Sequence, residues 1–124
     1  MDYNFLIVDD SMIIRKMIAK TLTISGLDIG EIFFAENGEQ ALDQLRKNRV
    51  HMVFSDINMP DMNGIEMIEE MRNQDLLPSI PVIIIATEHN RQRIETLKAM
   101  GVKAYLRKPF IPEEFYRVIK ELLH

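Results

Sequence analysis

The chain has 124 residues, with 15 Lys and Arg against 19 Asp and Glu, for a formal charge of −4. That length suits one domain of ordinary size, so residues 1–124 read as a single unit. The mild acidity argues against nucleic acid or an anionic membrane as a partner drawn by bulk charge. The absence of cysteine excludes disulfide scaffolds, thiolate metal sites and cysteine nucleophiles.

The first apolar run, residues 5–8, is Phe5, Leu6, Ile7 and Val8. It is too short for a signal peptide, and no segment approaches the roughly 20 apolar residues of a membrane helix. The protein therefore reads as cytoplasmic, with no membrane partner. Such a run instead predicts a strand buried on both faces. Ser11 can cap the helix that follows, in which Ile14, Met17, Ile18, Thr21 and Leu22 share one face, and Gly26 can stop it. Residues 32–35 predict a second strand. Asn37-Gly38 precedes a helix with Ala41, Leu42 and Leu45 on its apolar face. A third strand over 52–55 is followed by a helix carrying Ile65, Ile68 and Met71. The fourth strand, 81–86, leads to a helix with Ile94 and Leu97 that ends before Gly101. The fifth strand, 103–106, leads to a last helix with Phe115, Val118, Ile119 and Leu122. Pro112 suits that helix's first turn, and Glu113 and Glu114 suit its positive end. Five βα units in a row imply an α/β fold: a parallel, doubly wound sheet with helices on both faces. Ligands of such sheets bind beyond the carboxyl ends of the strands.

Each strand end carries a polar residue that is unremarkable alone. Asp9-Asp10 before Ser11 suits helix capping, and Asp56 opens a loop, Asp56-Ile57-Asn58-Met59-Pro60-Asp61-Met62-Asn63-Gly64, rich in turn formers. Thr87 and Lys108-Pro109 close the fourth and fifth strands. Together they say more. The first and third strands are expected to be neighbours, which gathers Asp9, Asp10 and Asp56. One carboxylate pair at 4 Å costs about 4 kcal/mol at an effective dielectric of 20, so the cluster needs a cation or a retained proton. Oxygen ligands without His or Cys favour Mg2+. A hydroxyl from Thr87 and an ammonium from Lys108 suit phosphoryl oxygens. The set is a phosphoryl-transfer site in which a carboxylate can be the nucleophile.

These residues resemble the receiver domain of two-component response regulators, especially the single-domain, CheY-like chemotaxis type. The carriers are residues 5–11, Glu36-Asn37-Gly38-Glu39-Gln40-Ala41-Leu42, the loop from Asp56 to Gly64, Thr87 and Lys108-Pro109-Phe110. The resemblance implies a flavodoxin-like sheet of order 2-1-3-4-5 with five helices, an order of which CheY is a standard example. It implies Asp56 as phosphoacceptor, with Mg2+ held by Asp10, Asp56 and the backbone carbonyl of Asn58, and with Asp9 acting through water. Thr87 and Lys108 would contact the phosphoryl group, Lys108-Pro109 would be a cis bond, and Tyr105 would be the switch aromatic. The implied partners are a histidine kinase or His-phosphotransfer protein as donor and a target on the face of the fourth helix, fifth strand and fifth helix. No nucleic acid partner is expected for the domain itself, and no catalysis beyond its own phosphorylation and dephosphorylation.

Other readings are weaker. A receiver belonging to a longer transcriptional regulator would share every motif. An Asp-nucleophile phosphatase usually carries a second carboxylate two residues after the nucleophile, where this chain has Asn58. A degenerate receiver used only for binding would not be expected to keep Asp9, Asp10, Asp56, Thr87 and Lys108. Glu88 departs from the family, which usually has a small residue after the Thr. It is expected to repel anionic donors, and His89 occupies a position that, with Asn58, tunes phosphoryl lifetime in relatives. His51, His89 and His124 form no metal-binding pattern, and Met59 and Met62 are expected to be exposed beside the Asp56 loop.

Overall fold

The computed structural model describes residues 2–77, 79–87 and 90–123; Glu88, His89 and His124 lie outside them. The elements alternate without exception: β1 (Tyr3–Val8), α1 (Met12–Thr23), β2 (Ile29–Ala35), α2 (Gly38–Lys47), β3 (Met52–Ser55), α3 (Gly64–Asn73), β4 (Val82–Ala86), α4 (Arg91–Ala99), β5 (Ala104–Arg107) and α5 (Pro112–Leu122). The strands are parallel and lie in the order β2-β1-β3-β4-β5. This is the doubly wound, flavodoxin-like sheet with five helices that the alternation and the resemblance imply.

Strand periodicity splits the apolar residues between two layers. On one face Leu6, Val8, Val53 and Ile84 pack with Leu42 of α2, Met67, Ile68 and Met71 of α3 and Leu97 of α4. On the other, Phe5, Ile7, Phe54, Ile83 and Ile85 pack with Ile18 and Leu22 of α1 and Phe115 and Ile119 of α5. Rings of Phe5, Phe54, Phe115 and Phe110 follow one another at centroid distances of 5.8, 5.0 and 5.2 Å. Side chains cap α1 to α4, whereas α5 starts at Pro112 with no side-chain cap. Ser11 accepts from the Ile14 amide at 3.3 Å, and Asn63 and Glu66 form a capping box at α3. Gly101 has a φ of +113°, a backbone open to glycine where α4 gives way to β5.

Three local expectations change. β1 and β2 begin earlier than their apolar runs, at Tyr3 and Ile29, because Asn4 extends the pairing. Its Oδ1 accepts from the Glu31 amide at 2.8 Å, and its Nδ2 donates to the Arg49 carbonyl at 2.8 Å. Its backbone N–H donates to His51 Nδ1 at 2.9 Å, while the His51 N–H donates to the Asn4 carbonyl. Met17 is 43% exposed, since it sits at the rim of the stripe centred on Ile18 and Leu22. Met59 and Met62 are half-buried against the α2–α3 layer, because the loop folds back over it. No helix among the described residues is long and apolar enough to cross a membrane.

Candidate functional site

Val8 pairs with Ser55 in adjacent parallel strands, so the next residue of each, Asp9 and Asp56, emerges at the same sheet end. The Asp56 amide donates to the Val8 carbonyl at 2.9 Å and fixes that alignment. Asp9, Asp10 and Asp56 can each offer an oxygen such that all three lie within 4.8 Å of one another. Asp9 is buried, Asp56 half-buried and Asp10 exposed. Lys108 follows β5 and reaches back across β4, with Nζ 2.8 Å from Asp9 Oδ2 and 3.3 Å from Asp56 Oδ2. The Lys108–Pro109 bond is cis, as the resemblance implies.

The remaining oxygens are also held. Asp9 Oδ1 accepts from the Ser11 amide at 2.9 Å, and Asp56 Oδ1 accepts from the Ile57 amide at 2.7 Å. Arg15, which sequence reasoning passed over, donates from Nη1 to the Asp9 carbonyl at 2.7 Å. Its signal was its place: a cation near a helix N-terminus sits badly with the helix dipole unless something else holds it. Thr87 directly follows β4 and is exposed at the same end of the sheet, while Asn58 lies exposed in the Asp56 loop. Tyr105 lies within β5, opposite Ile84, half-buried against the α2–α3–α4 layer. The geometry thus joins Asp9, Asp10, Asp56 and Lys108 directly and sets Thr87 on the neighbouring strand end.

Burial raises the pKa of the Asp56 carboxyl; the Lys108 charge and the Ile57 amide oppose this, and the Asp9 charge adds to it. Burial alone would lower Lys108, but its hydrogen bond to Asp9 and the charges of Asp56 and Asp9 leave it above its ordinary value. The sign for stability follows. A carboxyl whose folded pKa is raised penalises the folded state once ionised, and that penalty is relieved as pH falls through the folded value toward 3.8. Without divalent cations, Asp56→Asn should therefore melt higher than the parent near neutral pH. The difference should close on acidification. Thermal melts across the acid range check this, and equal melting at neutral pH would contradict it.

The family model described as the response regulator receiver domain matches residues 5–120. The chain belongs to that family. A Chemotaxis protein CheY homolog of Campylobacter jejuni is 36% identical over 121 residues, covering 97% of this chain and 92% of the relative. The chemotaxis protein CheY4 of Vibrio cholerae superposes with a TM-score of 0.87 at 33% identity, covering 98% of this receiver and 99% of that chain. A chain of the CheX-CheY-BeF3-Mg2+ complex from Borrelia burgdorferi gives a TM-score of 0.88 at 26% identity, over 98% of this receiver and 90% of that chain. The acidic cluster of this receiver therefore stands on a phosphoacceptor fold, at the strand ends where such a fold binds ligands.

Proposed function

We propose that residues 1–124 form one receiver that takes a phosphoryl group on Asp56 from a histidine kinase or His-phosphotransfer protein. An Asp56 oxygen bonds to phosphorus as the bond from phosphorus to the donor's imidazole nitrogen breaks, and that nitrogen keeps the electron pair. The observation that carries this reading is the Lys108 ammonium, held 2.8 Å from Asp9 and 3.3 Å from Asp56. It lies where a phosphoryl oxygen on Asp56 would need a counter-charge. Thr87 supplies a hydroxyl from the next strand end.

The donor set also fits a divalent cation. The cluster is all carboxylate, hard and negatively charged, which suits Mg2+. Asp10, Asp56 and the Asn58 carbonyl would hold it. Asp9, buried where Asp56 is half-buried and Asp10 exposed, would act through water, as the resemblance implies. When bound, Mg2+ neutralises phosphoryl oxygens and relieves carboxylate repulsion. The Borrelia complex, which contains Mg2+ together with BeF3, supports this choice.

Output follows from the change in charge, as a carboxylate of one negative charge becomes an acyl phosphate of nearly two. Thr87 would be drawn toward the phosphoryl group and Tyr105 would move into the space it leaves, changing the face of α4, β5 and α5 that meets a target protein. Chemotaxis-type relatives, matched over 92% and 99% of their own length, favour a single-domain output of this kind.

Treatment with a small acyl phosphate should give one phosphoryl adduct by intact mass, only when Mg2+ is present. Mg2+ alone should raise the melting temperature, because it binds the native state and not the unfolded chain. Asp10→Asn should abolish most of that rise. An adduct formed equally well in excess chelator, or an unchanged Mg2+ shift in Asp10→Asn, would contradict the assignment.

A further inference from the structure

The Glu36-Asn37-Gly38 turn belongs to none of the roles above, yet it grips the loop that carries Asn58. The Gly38 amide donates to the Met62 carbonyl at 2.8 Å. A Cβ on Gly38 would lie 2.6 Å from Met62 Cγ and 2.8 Å from its Sδ, so the turn packs tightly on the Met62 side chain. Beside this contact, Asn37 is 7% exposed and uses both ends of its amide. Its Oδ1 accepts from the Gln40 amide at 2.9 Å and caps α2. Its Nδ2 donates to Asp61 Oδ2 at 3.3 Å. The cap fixes which end is oxygen, so the nitrogen faces the carboxylate. Asp61 itself has a φ of 65°, the left-handed conformation that Asp and Asn tolerate best after glycine.

We propose that Asn37 and Asp61 are positioning residues, forming a side-chain clamp that holds the loop between Asp56 and Gly64 in the shape that offers the Asn58 carbonyl to the cation. The proposal rests on the Mg2+ reading above. The Asn37 amide caps α2 with its oxygen and donates to Asp61 with its nitrogen at once. A carboxylate at position 37 keeps the cap, loses the donor and faces a like charge. The clamp and simple electrostatics then predict opposite signs. An added negative charge near the cluster would tighten Mg2+ binding; a broken clamp weakens it.

The experiment compares the parent chain with N37D, D61N and the double variant N37D/D61N, using Mg2+ titration calorimetry and hydrogen exchange of the Gly38 amide in metal-free protein. N37D is expected to raise the Mg2+ Kd about three- to tenfold, at or below the range usual for groups that orient metal ligands. It should also speed exchange at Gly38. D61N keeps a neutral acceptor and should give a smaller rise. The double variant restores the donor–acceptor pair with its polarity reversed and returns the net charge to the parent value. Its Kd should come back to within about twofold of the parent, as a restored coupled pair requires. Metal-free melting temperatures confirm that the variants remain folded. The clamp is overturned if N37D binds Mg2+ as tightly as the parent or more so, if Gly38 exchange does not change, or if the double variant stays at the N37D level. Failure of the parent itself to bind Mg2+ would instead overturn the metal reading, while Gly38 exchange still tests the clamp.

Discussion

Asp56→Asn is expected to take up no phosphoryl group from an acyl phosphate under conditions in which the parent is labelled fully. The amide offers no anionic oxygen, and the covalent step has no substitute nucleophile of equal placement. Asp9 is 2% exposed and so closed to a donor that can approach the half-buried Asp56. Asp10 is exposed, and the Lys108 ammonium that would receive the phosphoryl charge bonds to Asp9 and Asp56 instead. Loss of a nucleophile that acts as a unit with its neighbours commonly removes roughly a thousandfold or more of rate. The adduct should therefore fall below detection by intact mass. Without divalent cations the same variant is expected to be more stable than the parent near neutral pH, and a melt in the labelling buffer shows that missing label does not come from unfolding. An adduct of parental yield, mapped by peptide mass to Asp10, would move the acceptor to the end of the first strand.

The second large effect is expected at Gly64, far less conspicuous than the carboxylates. Its amide donates to the Ile57 carbonyl at 2.7 Å, closing the loop that Asp56 opens. A Cβ there would clash with the Asp56 carbonyl oxygen and stand 3.0 Å from Ile57 Cα. Both neighbours are main chain and cannot swing aside as a side-chain tip can. Gly64→Ala must therefore shift either α3 or the backbone of Asp56 itself. The expected cost is about 3 kcal/mol, the upper part of the range for overpacking. That corresponds to a melting temperature lower by roughly 10 °C for a chain of this size. Phosphorylation should slow as well, because the displaced backbone carries Asp56. Gly38→Ala meets mainly the flexible Met62 side chain and should be milder. Comparable melting of Gly64→Ala and the parent would show that the loop has slack the geometry does not suggest.

Much of this architecture was readable from the chain. Strands with dense apolar runs, such as Phe5–Leu6–Ile7–Val8 and Val82–Ile83–Ile84–Ile85, have no comfortable place except between two helical layers. Residues that end such strands in a parallel sheet must share one rim. That is why Asp9, Asp10, Asp56, Thr87 and Lys108 could be grouped from their positions in the chain alone. Edge strand β2 was less legible, since Gly30 and Glu31 face solvent and break the apolar run. The Asn37–Asp61 contact was invisible, because it spans 24 positions and depends on the path of a loop. Arg15 was missed for a related reason: its partner is a backbone carbonyl, which no pattern of side chains reveals. Met59 and Met62 lie further inward than membership of a loop suggests, because the loop closes over the core.

The bonds around Asn4 have a mechanical consequence for signalling. One side-chain amide and its backbone join the amino ends of β1, β2 and β3, at the pole opposite the carboxylates. Strands fastened together at that pole resist sliding past one another, so a new charge on Asp56 has little means of altering their pairing. Whatever motion it provokes is left to the opposite pole, in the loops that follow the strands. The sheet behaves as a book bound along its spine, and only the fore-edge can open.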